Sequence, residues 1–208
     1  MSAEPEGGWW RELLFPAPED VTPAAFWGRA ALLGALALWS LRLLVSSVAE
    51  NYAGSSYFHL VNLVFHEAGH VVFAPFGELL TAAGGSLMQL LVPAVCLGTF
   101  LLRNRDAFAS AVALWWLGES LMDLAPYIAD ARAGQLLLLG GVTGRDAPGY
   151  HDWENVLSTL GLLRWDTLLG AGAHNLGRLL LVAACAWAGW ALACQWRVLS
   201  AERRGELN

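Results

Sequence analysis

The sequence predicts an all-α integral membrane protein of about five transmembrane helices, with a long polar, partly re-entrant or interfacial segment between the fourth and the fifth. Two observations lead there. Hydrophobic residues make up 56% of the 208 residues and charged ones 14%, and the mean hydropathy is +0.46, more apolar side chain than a soluble domain of this size needs for its core. The chain also divides into apolar runs of the length, roughly 20 residues, that a helix needs to cross a hydrocarbon layer about 30 Å thick. With no internal repeat and no low-complexity linker, residues 24 to 197 read as a single membrane domain in contact with the lipid bilayer.

The elements follow in order. Residues 1 to 23, which include "MSAEPEGGWWRELLFPAPED", form an acidic, proline-bearing tail that lacks the basic start and short apolar core of a cleaved signal peptide. The first span, 24 to 48, follows Pro23; its Arg29 and Arg42 snorkel or face partner helices. The second, 56 to 75, contains "HEAGH" and stops at Pro75. A turn at "PFGEL" leads to the third, 84 to 102, where Gly84, Gly85 and Ser86 permit close approach of a neighbouring helix. The fourth, 107 to 127, contains "WWLGESLMDLAPY". About 40 polar, glycine-bearing residues follow, whose one apolar run, "QLLLLGGV", is too short to span. The fifth span covers 172 to 196, and 198 to 208 form a polar C-terminal tail.

Charge and cysteine content narrow the partners. All 12 basic residues are arginine, and with 18 acidic residues the net charge is -6, which gives no electrostatic grip on nucleic acid. Cys96, Cys185 and Cys194 lie in apolar runs without CxxC spacing and read as buried helix residues. The arginines in "RNR" and "RVLSAERR" predict two cytoplasmic ends. Counting from them places the "PFGEL" turn outside, on the same side as the end of the fourth helix and the long 128 to 171 segment.

The chemistry is concentrated in "NLVFHEAGHVVFAPFGELL", residues 62 to 80. HEAGH is an HExxH motif: His66 and His70 lie one helical turn apart, so both imidazoles can reach one Zn²⁺ while Glu67 beside them polarises a water. His59 and Asn62 extend the same polar stripe. Ionisable groups at membrane depth are costly and mark functional sites more often than they do in soluble helices; the competing reading is a packing stripe whose histidines only bond to neighbouring helices. A catalytic zinc needs a third protein ligand, and two stretches offer one. Pro126 breaks the fourth helix ahead of Asp130, while Glu119 and Asp123 lie one turn apart further inside. "YHDWEN" brings His151, Asp152 and Glu154, with Trp153 as an interfacial anchor. In the plainer readings Asp130 pairs with Arg132 or caps a turn, and His151 is an exposed loop histidine.

At these residues the chain resembles the site-2 protease family of intramembrane zinc metallopeptidases: HEAGH in a membrane helix, then a glycine-led helix, then a helix ending D-L-A-P-Y-I-A-D. The resemblance implies His66 and His70 as zinc ligands, Glu67 as the catalytic glutamate and Asp130 as the distal ligand, favoured over His151. The chain departs from that pattern with Asp123 where asparagine is usual, Ala131 where glycine is usual, and Asp130 four positions after Pro126 where five is usual. With "GGSLMQLLVP", "PYIADAR", "LLLLGG" and "HDW" it also resembles small bacterial membrane proteins related to those peptidases, which implies the bacterial inner membrane. The expected function is peptide-bond hydrolysis in membrane or membrane-proximal substrates, with Asn62, Gln89 or Asn175 as candidate oxyanion donors. The alternatives are a catalytically silent zinc protein acting as an assembly or regulatory partner, and a metal or proton transporter using His59, His66, Glu67, His70, Glu119 and Asp123 as a relay.

Overall fold

The computed structural model describes residues 9 to 16 and 21 to 204, and among them the regular elements are all helical. Helix α1 spans Trp9–Leu14, α2 Pro23–Val45, α3 Tyr57–Phe73, α4 Glu78–Gly98, α5 Ala107–Ala129, α6 Asp152–Thr159 and α7 Asp166–Arg203. Local signals set their limits. Thr22 caps α2, its hydroxyl accepting from Ala25 N at 3.3 Å with Pro23 in the first turn, where a missing N–H costs nothing. Asp106 caps α5 in the same way through Ala109 N at 3.0 Å. Between α3 and α4 the chain turns through Ala74–Phe76 and Gly77, whose φ of 97° is open to glycine and strained for other residues. α4 runs on through a wider π-type turn, Thr99–Asn104.

Three helices are long and apolar enough to cross a membrane: Pro23–Val45, Glu78–Asn104 and Leu163–Ala201. The other two expected spans form helices of a different character. The 17 residues of α3 rise only about 25 Å, short of a hydrocarbon layer about 30 Å thick. α5 is long enough at 23 residues but carries Glu119 and Asp123, and most of its length is buried within the protein. The outward surface is apolar: Leu38, Leu41 and Val45 on α2, Val64 and Val71 on α3, Val95 on α4 and Leu179 on α7 are all more than half exposed. Side chains of that kind spread over several helices suit a bilayer and not water.

Small residues bring the helices together. A Cβ on Gly118 of α5 would come 3.0 Å from Gly177 O of α7, and one on Gly170 of α7 would come 2.6 Å from Ala125 O of α5. α3 and α4 meet at Gly69 and Gly84, where a Cβ on Gly84 would lie 2.7 Å from Gly69 O. Such approach increases dispersion contact where lipid removes most of the hydrophobic driving force. Leu43, Trp115, Met122, Leu181 and Ala184 fill one core; Ala53 joins them, so the loop after α2 packs beside the middle of α5.

The tails differ from expectation in two places. Within the predicted N-terminal tail, α1 and its following residue rest on α7: Trp187 Nε1 donates to Leu14 O at 2.8 Å, and Phe15 meets Trp190 edge to face with centroids 4.8 Å apart. α7 continues to Arg203 and takes in the first part of the predicted C-terminal tail. The run Leu136–Leu139 between α5 and α6 forms a hairpin turn, closed by Leu138 N donating to Val142 O at 2.8 Å and by glycines 140 and 141 at φ 96° and 79°.

Candidate metal centre

The two motif histidines project from α3 towards α4, and each has one ring nitrogen already engaged. His70 Nδ1 lies 2.8 Å from Thr81 O; a carbonyl only accepts, so Nδ1 carries a proton and Nε2 presents a lone pair whenever the ring is neutral. His66 Nδ1 lies 3.0 Å from Gln89 Oε1, and Gln89 Nε2 donates to Asp123 at 2.9 Å, which directs the amide oxygen at His66 and leaves its Nε2 likewise bare. Both bare nitrogens face one carboxylate: Asp152 Oδ2 is 3.3 Å from His66 Nε2 and 3.2 Å from His70 Nε2. These ligand atoms lie within 4.8 Å of one another. Three ligand atoms converge where a cation, or in its absence a proton on an imidazole nitrogen, must lie between them, and the outer partners hold the rings as they do around bound metals.

Asp152 occupies the first turn of α6, and α6 is docked on α4 by Trp153, whose Nε1 donates to Ser86 Oγ at 3.0 Å. Trp153 thus fastens the helix that carries the carboxylate. The Tyr127 hydroxyl accepts from Asp152 N at 2.9 Å and donates to Asp152 Oδ2 at 3.0 Å. Burial alone would push the Asp152 carboxyl up, but hydrogen bonds and charge from the imidazoles of His66 and His70, when these are protonated, outweigh it and hold the pKa at about 2. The site therefore keeps this group in the ionised form a metal requires.

Space for an ion comes from a glycine. A Cβ on Gly85 would run into His66 Nε2 and lie 2.7 Å from His70 Nε2, so a methyl there would fill the gap between the two lone pairs. The donor set and the gap both fit a small cation. Gly85→Ala is expected to lower zinc content measured on the purified protein while leaving the helix intact, because alanine favours helix by about 1 kcal/mol over glycine. Gly84→Ala, which strikes the Gly69 carbonyl instead, is expected to lower the melting temperature. Equal zinc in Gly85→Ala and wild type would remove this account of the gap.

Glu67 lines the same cavity of about 470 Å³ as His66, His70, Tyr127 and Asp152, and its exposed carboxylate accepts no hydrogen bond among the described residues. The third position beside the imidazoles is taken by Asp152, and not by Asp130 or His151. Asp130 accepts the backbone N–H groups of Gln135 at 3.0 Å and Leu136 at 2.8 Å, which makes it the cap that holds the Leu136–Leu139 hairpin. Arg132 pairs with Asp166 at 2.7 Å, not with Asp130. His151 is fully buried; its Nδ1 accepts from Glu154 N at 3.3 Å and its Nε2 lies 3.5 Å from Asp130 Oδ2. Burial pushes its pKa down, partly countered by Asp130. Of the expected oxyanion donors, Asn62 spends its amide hydrogens on Glu119 and Asp123, Gln89 donates to Asp123, and Asn175 is an exposed acceptor for Arg178 on α7. Tyr127 is marked in the sequence only by its place one residue after Pro126.

The chain matches no family model, no curated protein and no solved structure in the three comparisons made.

Proposed function

We propose that the chain is a membrane-embedded zinc metallopeptidase that hydrolyses peptide bonds of membrane or membrane-proximal substrates. The observation that carries this reading is the convergence of His66 Nε2, His70 Nε2 and Asp152 Oδ2 beside a Glu67 carboxylate that accepts no hydrogen bond among the described residues. Two imidazoles and one carboxylate are the ligand set of many hydrolytic zinc sites, which leave a further position open. A zinc ion held there would supply a Lewis acid and lower the pKa of water at the site towards about 7. Glu67 would accept the proton of the attacking water and pass it to the leaving amine. Tyr127, whose oxygen is held by Asp152 N, can turn its O–H from Asp152 towards the substrate carbonyl as negative charge develops.

The resemblance of HEAGH and the glycine-led helix to site-2 proteases supports the same reading, with Asp152 in the place where that resemblance implies Asp130. A purely structural zinc site has no use for an unpaired glutamate between its ligands, which ranks a silent zinc protein second. We place α3 and α5 in the bilayer with the three apolar helices, α3 entering part of the way and α5 shielded by its neighbours, and the membrane is the bacterial inner membrane. Incubating the protein in lipid nanodiscs with solubilised membrane proteins and sequencing new N-termini tests the activity. Chelator-sensitive cleavage is expected, reduced by about 100- to 1000-fold in Tyr127→Phe assayed at saturating zinc. An absence of new N-termini from the zinc-loaded wild type would overturn the peptidase reading.

A further inference from the structure

We infer that Asp123 is a positioning residue for the metal centre, acting through Gln89 to decide which nitrogen of His66 carries the proton. This rests on the reading of His66 as a ligand, and goes beyond it by assigning a role to the buried polar layer beneath the site. That layer consists of Asn62 on α3, Gln89 on α4, and Trp116, Glu119, Ser120 and Asp123 on α5. Asn62, Glu119, Asp123 and Gln89 are at most 7% exposed, so water has little access to replace a lost partner.

The direction of every bond in the layer follows from its ends. The Trp116 indole N–H can only donate; it donates to Asn62 Oδ1 at 3.0 Å, as Ser120 Oγ does at 3.2 Å. With its oxygen so occupied, Asn62 turns its amide nitrogen to the carboxylates, donating to Glu119 Oε2 at 2.8 Å and Asp123 Oδ2 at 3.0 Å. Asp123 Oδ2 also accepts from Gln89 Nε2 at 2.9 Å, and its Oδ1 lies 2.8 Å from His59 Nδ1. A carboxylate oxygen offers only lone pairs to Gln89, so the NH₂ end of that amide must face it and the oxygen must face His66 Nδ1. Turning the Gln89 amide over would set oxygen against oxygen at Asp123. The His66 proton is thereby held on Nδ1 and Nε2 is kept bare for the site.

The two histidines are thus oriented by different means. His70 is set by a backbone carbonyl that no side-chain substitution removes, whereas His66 depends on a side-chain relay running Trp116, Asn62, Asp123, Gln89. The relay can be cut at Asp123 without touching a ligand or a residue that contacts one. The expected cost is that of losing an outer partner of a metal ligand, about 10- to 100-fold in affinity.

The test compares wild type, Asp123→Leu and Asp123→Asn, labelled with ¹⁵N-histidine in nanodiscs at a pH where the rings are neutral, the His66 signals being identified by their absence from His66→Gln. Wild type should show His66 protonated on Nδ1. Asp123→Asn should keep that tautomer and the wild-type zinc affinity, because its amide oxygen still accepts from Gln89. Asp123→Leu should lose the single tautomer and bind zinc about 10- to 100-fold more weakly in chelator competition; Asp123→Ala replaces it if the leucine variant does not fold. An unchanged tautomer and affinity in the leucine or alanine variant overturns the proposal, as does a wild-type His66 protonated on Nε2. The tautomer is read without metal or substrate, so a wild type that fails to cleave peptides would sink the peptidase reading and leave this one standing.

Discussion

Glu67→Gln is expected to retain zinc and to lose peptide cleavage by about 10²- to 10⁴-fold, the contribution of a positioned general base. The amide has the size of the carboxylate, so the α3 helix and its packing on α4 are undisturbed. Glu67 is outside the group formed by His66, His70 and Asp152, and no outer partner of those ligands bonds to it, so the metal should stay. What disappears is a basic oxygen on the cavity wall. Parallel zinc analysis and cleavage assays separate the outcomes: full cleavage by Glu67→Gln would remove the proposed mechanism even with zinc in place, and loss of zinc would make Glu67 a ligand.

Much of the helical framework was legible because its signals are local. Pro23, Pro75 and the length of each apolar run locate α2, α3 and α5 to within a few residues, whereas α4 begins at Glu78, ahead of the expected residue 84, and the pair of glycines in "GGSLMQ" announces a close helix approach. The polar stripe of His59, Asn62, His66 and His70 could also be read from helical periodicity. What could not be read is where that stripe points. Periodicity places Asn62 on one face of its helix, but only the folded chain shows it saturated by four partners on α5. The count of five spans exceeded the three that length and apolarity support, since a run of apolar letters does not distinguish a helix facing lipid from α5, which is enclosed by protein.

The third position of the site illustrates the same limit more sharply. The resemblance favours Asp130, an aspartate that follows the helix-breaking Pro126, over His151; Asp152 is next to His151 in "YHDWEN". In a helix, adjacent residues point about 100° apart, so one step along the chain decides between the buried cap of α6 and the carboxylate facing α3. Nothing in the spacing shows that α6 begins at Asp152, or that Trp153 would dock it on Ser86. The hydrogen-bonding capacity of Asp130 likewise cannot show that two backbone N–H groups consume it.

Asp152→Ala is expected to lose zinc more severely than the about 10- to 100-fold that removal of an outer partner costs, since it deletes one of three converging ligand atoms. It also removes the counter-charge that holds two imidazoles near one point, leaving their Nε2 atoms to repel or to protonate. Asp130→Ala should leave the metal in place and instead loosen the hairpin over the cavity, because its oxygens serve Gln135 N and Leu136 N. The most direct measurement is therefore zinc content and affinity of wild type, Asp152→Ala and Asp130→Ala, purified identically in detergent and titrated against a chromophoric chelator. About one tightly held zinc per chain in wild type and Asp130→Ala, with none in Asp152→Ala, is the predicted result. Wild-type affinity in Asp152→Ala, or loss of zinc in Asp130→Ala alone, would contradict the site.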